Sequence, residues 1–145
     1  MVDVHRTITV RTPVQTVVEY LRDFAHAEEW DPGTVSCTRA DTGPIAVGAQ
    51  WRNVSEFRGK KTELTYRLDR LDPGRIVFVG SNKTATSTDD LTVTEEDGTT
   101  TISYHATIKF HGLAKLADPF LKREFEKMGD DLVPTMTKVL EGLRT

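Results

Sequence analysis

The sequence predicts an α+β domain in which an antiparallel sheet packs against a long C-terminal helix. From Val35 to Phe110, apolar and polar residues alternate with a period of two, which is typical of half-buried strands. After His111-Gly112 the apolar residues recur every three or four positions, which is typical of an amphipathic helix. Each pattern provides one apolar face, so the sheet and the helix are expected to bury these faces against each other.

The N-terminal segment predicts one strand and then two short helices. Apolar and polar residues alternate over residues 4–10, and the strand is expected to end at Arg11. Thr12-Pro13-Val14-Gln15 provides an N-cap, a proline at the first helical position and a glutamine suited to a capping box. The apolar stripe of this helix is Val14, Val17, Val18 and Leu21. A second, shorter helix is predicted from Asp23 to Trp30, because Asp31-Pro32-Gly33 then breaks the helical pattern.

The central part of the chain predicts a meander of about six strands joined by tight turns. The turn sequences are Thr42-Gly43-Pro44, Arg58-Gly59-Lys60, Asp72-Pro73-Gly74 and Asp97-Gly98. Antiparallel neighbours can be joined by so few residues, whereas parallel neighbours need a long crossover. Asp97-Gly98 is the strongest of these signals, because Asp-Gly suits the positive φ angles of a tight hairpin.

The C-terminal helix is predicted to begin at Asp118-Pro119, which pairs an N-cap with a first-turn proline. Its apolar face consists of Leu121, Phe125, Met128, Leu132, Met136, Val139, Leu140 and Leu143. Pro134 removes one backbone hydrogen bond and is expected to kink the helix, together with the flexible Gly129.

Length and composition narrow the classes of function. The 145 residues are expected to form a single domain, residues 1–145, because no change of composition divides them. A net charge of −3 lacks the positive excess that nucleic acid requires, so no nucleic-acid partner is expected. No apolar run approaches the roughly 20 residues that cross a bilayer, and a cytoplasmic protein without stable membrane insertion is expected. The single cysteine, Cys37, is predicted to be a small buried hydrophobe.

Short motifs follow one another along the whole chain in a recognisable order. They are Ile8-Thr9-Val10 to Thr12-Pro13-Val14, Asp23 through Trp30-Asp31-Pro32, Gly48 to Trp51, Leu71-Asp72-Pro73, Asp97-Gly98-Thr99, and Gly112 before the terminal helix. In that order they resemble the START-like (SRPBCC) superfamily, in its polyketide cyclase/dehydratase-type branch. The resemblance implies a helix-grip fold: a curved antiparallel sheet of about seven strands wrapped around a long C-terminal helix, with two short helices after strand 1. It also implies an internal cavity for a lipid, sterol, polyketide or aromatic ligand.

Strand parity predicts which side chains face that cavity. The inward set on the strands is Trp51, Asn53, Ser55, Phe57, Leu64, Tyr66, Leu68, Ile76, Phe78, Gly80, Asn82, Ile102, Tyr104, Ala106, Ile108 and Phe110. The ligand contacts predicted from this set and from the helix are Trp51, Asn53, Ser55, Phe57, Tyr66, Phe78, Asn82, Tyr104, Ile108, Phe125, Met128 and Leu132.

Tyr66 and Tyr104 are the leading contacts, because a phenol that faces an apolar space needs a hydrogen-bond partner, which a ligand can supply. The alternative is that both fill the core and bond to neighbouring protein groups. Trp30 and Trp51 are interpreted as mainly structural aromatic residues that can also touch a ligand.

Candidate catalytic groups are few. Asp89 shares inward parity with Leu91 and Val93, and burial there would raise its pKa and suit it as an acid or base. Its alternative position is a strand end near water. Tyr66 and Tyr104 are the other catalytic candidates, and no inward arginine is expected, since the parity of Arg52 and Arg67 is outward.

Neither a metal nor a cofactor is expected. His105 and His111 share one strand parity but stand roughly 20 Å apart along an extended chain, too far for a common metal ion.

We therefore predict the binding or carriage of a hydrophobic small molecule in an internal cavity. The alternatives are a polyketide aromatase/cyclase or dehydratase, and a protein-interaction domain with a vestigial cavity. The sequence predicts neither the identity of the ligand nor the oligomeric state.

Overall fold

The computed structural model describes residues 1–57, 59–112, 114 and 118–143. Three helices and one 3-10 helix accompany seven strands in this part of the chain. In chain order they are β1 (Val2–Val10), α1 (Val14–Leu21), a 3-10 helix (Phe24–His26), α2 (Ala27–Trp30), β2 (Thr34–Arg39), β3 (Gln50–Phe57), β4 (Lys60–Asp72), β5 (Arg75–Ser81), β6 (Ala85–Glu96), β7 (Thr99–Phe110) and α3 (Asp118–Glu141).

The seven strands form one antiparallel sheet in the order β1-β7-β6-β5-β4-β3-β2. Apart from β1, which pairs with β7, sequential strands are neighbours, as the predicted meander requires. Shifts of register in β2, between Thr34 and Ser36, and in β4, between Leu68 and Arg70, mark irregular pairing of the kind that bends strands. The sheet curves around α3, and the helix-grip architecture is confirmed.

The turns that join the strands follow the predicted chemistry in most places. Asp97 and Gly98 adopt φ angles of 54° and 78°, which confirms the tight hairpin between β6 and β7. Arg58 lies outside the described residues. A turn at residues 82–84 between β5 and β6 was not predicted, and it determines the position of Asn82, described below.

The start of α1 differs from the prediction. Pro13 occupies the N-cap position, and no side chain caps the helix, so the capping box with Gln15 is wrong. Thr12 is fully buried instead, and its hydroxyl donates to the carbonyl oxygen of Leu140 in α3. The hydroxyl thereby provides a hydrogen-bond partner for a carbonyl in the last turn of α3. A capping pattern describes only neighbouring residues, so it does not predict this distant partner.

The apolar stripe of α1 and the apolar face of α3 both pack into the core, as predicted. Val17 and Leu21 are fully buried, and so are Met136 and Leu140. Asp23 caps the 3-10 helix by accepting a hydrogen bond from the Ala25 amide. The predicted cap pair Asp118-Pro119 has side chains outside the described part of the structure. No helix among the described residues is long and apolar enough to cross a membrane.

An aromatic cluster fills one end of the space between the sheet and the helices. Phe24 lies at its centre, with ring centroids 4.4 Å from Phe78, 4.5 Å from Tyr66, 6.2 Å from Trp30 and 6.3 Å from Trp51. These rings block the space near α1 and leave the opposite end, beneath α3, for a cavity.

Candidate ligand-binding cavity

A cavity of about 210 Å³ lies between the sheet and α3. Its strand residues come from the first halves of β1, β4 and β6 and the second halves of β3 and β7, which antiparallel pairing brings to one end of the sheet. The apolar part of the wall consists of Val4, Phe57, Leu64, Ala85, Ala106, Ile108, Phe110, Leu121, Phe125, Met128, Gly129 and Leu132. The wall is therefore mainly hydrophobic, as ligand pockets usually are.

The structure places eight of the predicted contact residues in this wall. They are Ser55, Phe57, Tyr66, Tyr104, Ile108, Phe125, Met128 and Leu132. Phe57 and Phe125 stack with ring centroids 4.7 Å apart, so they join the sheet to α3 across the cavity.

Trp51 and Phe78 face inward, but they do not reach the cavity. Both are fully buried in the aromatic cluster, and the indole nitrogen of Trp51 donates to Asp23 Oδ1 at 3.0 Å. They are absent from the described cavity wall because parity assigns the face of a strand and not the depth along it.

Asn53 and Asn82, the other two predicted ligand contacts, also do not line the cavity. The amide of Asn53 donates to Thr34 Oγ1 at 3.3 Å and accepts from Ser55 Oγ at 2.7 Å, so it is satisfied by protein groups. Asn82 lies beyond the end of β5, where its side-chain oxygen accepts from the backbone amides of Thr84 and Ala85. It therefore stabilises a turn.

The polar end of the cavity contains two phenols, a hydroxyl and a carboxyl on adjacent strands. Gly80 lies between Tyr66 on β4 and Ser87 on β6 in the cross-strand register. A Cβ at Gly80 would lie 2.7 Å from the Tyr66 ring, so glycine makes room for the phenol. Tyr104 on β7 donates from its hydroxyl to Asp89 Oδ2 on β6 at 3.4 Å, which is long for such a bond.

Asp31, at the end of α2, completes the polar end and was missed by the sequence analysis. Asp31-Pro32-Gly33 was interpreted only as a helix break. The carboxylate accepts from the Gly33 amide at 2.9 Å and from Thr34 Oγ1 at 3.0 Å, while the side chain also lines the cavity. Parity does not apply to loop residues, so only the packing of α2 against α3 reveals its direction.

The environment of these groups shifts their protonation. Burial raises the pKa of Asp89 to about 7, with a further contribution from Asp31 and an opposing one from the hydrogen bond of Tyr104. Burial also raises the pKa of Asp31, against the hydrogen bonds from Gly33 and Thr34. Asp89 is only 5% exposed, so its alternative position at a strand end near water is wrong.

Two further pKa shifts complete the electrostatics of the site. Burial raises the pKa values of Tyr66 and Tyr104 well above the ordinary value, and the Asp89 carboxyl raises both further. Both phenols therefore stay protonated and act as hydrogen-bond donors at neutral pH.

The cavity wall has no basic side chain among the residues that the structure describes. Arg52 and Arg67 lie on the outer face, as predicted, and are exposed. Arg6 corrects the expectation of no inward arginine, because it lies opposite Tyr104 on the inner face. Its guanidinium is ion-paired with Glu126 Oε2 at 3.0 Å and Asp130 Oδ1 at 2.9 Å on α3.

Other candidate reactive groups lie away from the cavity. Burial raises the pKa of the Cys37 thiol to about 12, so it is a buried hydrophobe, as predicted. His105 pairs with Asp3 on the exposed face, and His111 bonds to Thr86. Within the described ranges, no three His, Cys, Asp or Glu side chains are close enough to hold a metal ion.

A sequence model of the family described as polyketide cyclase / dehydrase and lipid transport matches residues 1–145. The chain belongs to this family. No curated protein matches the sequence.

Solved structures at low sequence identity share the fold. TTHA0849 from Thermus thermophilus is 15% identical, with a TM-score of 0.76 over 97% of this chain and 95% of that one. The Zhui aromatase/cyclase from Streptomyces is 17% identical, with a TM-score of 0.73 over 97% and 91%. A START superfamily protein from Mycobacterium smegmatis is 14% identical, with a TM-score of 0.71 over 98% and 96%. The likeness confirms the START-like fold.

Proposed function

We propose that the protein binds a small hydrophobic molecule in the cavity beneath α3, with the polar part of the ligand beside Tyr66, Tyr104, Asp89 and Asp31. The observation that carries the proposal is the composition of the cavity wall, which is apolar over most of its surface and has polar groups at one end. Apolar surface provides binding free energy, and a few placed polar groups orient a ligand. Membership of a family that includes lipid transport supports this function.

The volume of the cavity limits the size of the ligand. An apolar cavity of about 150 Å³ accepts benzene. The 210 Å³ here suits one or two rings with a short substituent. A small aromatic ligand is therefore favoured over a four-ring sterol or a long acyl chain, both of which are larger than this volume.

Native mass spectrometry of the protein as purified, followed by extraction of bound molecules, tests the proposal. We expect an apolar molecule at about one per chain. Replacing Ala106 in the wall with Trp should fill the cavity and remove the ligand. Lys109→Trp is the matched control, since Lys109 is exposed on the opposite face of the same strand.

Thermal unfolding verifies that both variants fold. If the Ala106→Trp variant does not fold, the smaller substitution Ala106→Leu is used in its place. Equal ligand occupancy in the filled and control variants would place the ligand elsewhere. An empty wild-type protein that also binds no sterol, fatty acid or aromatic polyketide mimic would instead favour a protein-interaction domain with a vestigial cavity.

Proton transfer is a second candidate function, and the environment of Asp89 favours it. With a pKa of about 7, this carboxyl is ionised and protonated in comparable amounts near neutral pH, which suits a general base or acid. Aldol closure of a polyketide needs a base to remove a proton from carbon and a donor to the carbonyl oxygen. Asp89 and the phenol of Tyr104 or Tyr66 would fill these roles, and the cyclase branch of the family description supports them.

An assay with a poly-β-ketone mimic tests this second candidate. The change in absorbance measures ring closure and the loss of water. We expect Asp89→Asn to lower kcat by about 100-fold or more while the mimic still binds. The wild-type rate should rise with pH through about 7, as Asp89 loses its proton. Binding of the mimic without turnover in the wild-type protein would exclude catalysis and leave the binding function.

A further inference from the structure

We propose that the ligand of this cavity is a small apolar amine, whose ammonium group binds between the carboxylates of Asp31 and Asp89. This inference rests on the proposed function and names the chemical class of its ligand. Asp31 directly follows α2 and Asp89 lies on β6, far apart in sequence, and both side chains line the same cavity. They are close enough for Asp31 to raise the pKa of Asp89.

The charge of the wall favours a cationic ligand. Two carboxyls face the cavity, and the groups beside them are the phenols of Tyr66 and Tyr104, which carry no positive charge. The wall residues described on α3 are apolar or glycine, and Val4 represents β1. The inward guanidinium of Arg6 is held by Glu126 and Asp130. The described part of the wall therefore has no cationic side chain to pair with the carboxyls.

Asp89 is incompletely hydrogen-bonded within the protein. This side chain is more than nine-tenths buried and lines the cavity. Its Oδ2 accepts one long bond, 3.4 Å from Tyr104, and its Oδ1 accepts none from the described residues. A buried carboxylate is costly unless it is paired and hydrogen-bonded. An ammonium group, with three donors and a positive charge, supplies both requirements.

The two carboxyls also select against acidic ligands. A ligand carboxylate at the polar end would face two carboxyls and no described cation, so like charges would oppose its binding. An alcohol could donate one hydrogen bond but would bring no charge.

Three probes with one skeleton and different polar groups test the inference: naphthylmethylamine, naphthylmethanol and naphthoic acid. Their affinities are measured by isothermal titration calorimetry at pH 8, where Asp89 is ionised. We expect the amine to bind at least about tenfold more tightly than the alcohol, which corresponds to one charge-assisted hydrogen bond, and the acid to bind most weakly.

Variants identify the carboxyls responsible. Asp89→Asn and Asp31→Asn should each remove most of the preference for the amine while the alcohol still binds, since the amide keeps the size of the side chain. Asp90→Asn is the matched control, because Asp90 neighbours Asp89 on the opposite face of β6 and pairs with Arg75. Wild-type affinity for the amine should weaken as the pH falls from 8 to 6 and Asp89 gains a proton.

The possible results separate the two proposals. Equal or tighter binding of the alcohol or the acid would overturn the inference and leave the cavity as a hydrophobic binding site. A preference for the amine that survives both Asn variants would also overturn it. Failure of all three probes to bind would contradict the amine inference, and an empty protein in native mass spectrometry would then contradict the binding function as well.

Discussion

Asp89 illustrates how a single side chain can favour function at a cost in stability. It lies on β6 among Tyr66, Tyr104 and the second carboxyl, Asp31, and its burial raises its pKa from an ordinary 3.8 to about 7. Functional groups often occupy positions that a merely stable fold would avoid. The pH dependence of unfolding makes this cost measurable.

Between about pH 4 and 7, the folded protein holds the Asp89 proton that the unfolded chain releases. The folded state therefore binds more protons, so the contribution of Asp89 to stability is fully present below about pH 4 and is lost as the pH rises through about 7. The shift corresponds to a loss of about 4 kcal/mol in the free energy of unfolding. The raised pKa of Asp31 acts in the same direction.

We expect Asp89→Asn to remove the contribution of this carboxyl. Relative to wild type, the variant should gain stability between pH 5 and pH 8, because an amide does not ionise. Urea unfolding at both pH values measures the difference, with Asp90→Asn as the control, a half-buried carboxyl on the opposite face of the same strand. If the variant loses stability with pH as steeply as wild type, Asp89 has an ordinary pKa.

At the scale of elements, the segment between β1 and α1 is joined to the end of α3. The Thr12 hydroxyl donates to the carbonyl of Leu140, and the Thr12 carbonyl accepts from Thr100 Oγ1 on β7. Three elements meet at one buried residue. The local pattern predicted a helix cap here, because threonine before proline also occurs in that role.

We expect Thr12→Val to lower the free energy of unfolding by about 1–3 kcal/mol, since the shape is kept while the Leu140 carbonyl loses its partner. Thr12→Ser keeps the hydroxyl and should cost less. Urea unfolding of both variants distinguishes the two roles. If Thr12 instead capped the start of α1, Thr12→Asn would be tolerated. Wild-type stability of the Thr12→Asn variant would therefore contradict the role of the buried hydrogen bond to Leu140.

At the scale of the whole molecule, the size of the cavity depends on how closely α3 approaches β1. Gly129 on α3 faces Val4 on β1, and both line the cavity. A Cβ at Gly129 would lie 2.5 Å from Val4 Cγ1, and Val4 is itself buried. Gly129 thus permits α3 to pack closely against β1. The sequence predicts only flexibility at this glycine.

We expect Gly129→Ala to destabilise the protein. Helix propensity alone would make the change favourable by up to about 1 kcal/mol. Overpacking against Val4 should cost about 1–3 kcal/mol and push α3 away from the sheet. Thermal unfolding should show a midpoint lower by roughly 3 °C or more. Asp131→Ala, at an exposed position of the same helix, is the control, and a rise in the Gly129→Ala midpoint would contradict the close packing.

The sequence predicted the candidate site in part. Tyr66, Tyr104 and Asp89 were assigned to the inner face correctly because alternation along a strand is a local property. Trp51 and Phe78 have the same parity, yet they belong to the aromatic cluster. Only the position of Phe24, contributed by a separate helical segment, separates the filled end from the open end.

By itself, the sequence determined the order of the elements, the face that each presents to the core and the family to which the chain belongs, because periodicity and turn chemistry act between near neighbours. The tertiary structure alone decided that Asp31 joins Asp89 in the cavity, that Arg6 is neutralised by α3 and that Gly129 sets the distance to β1. These features arise where segments distant along the chain meet, and no local pattern records such contacts.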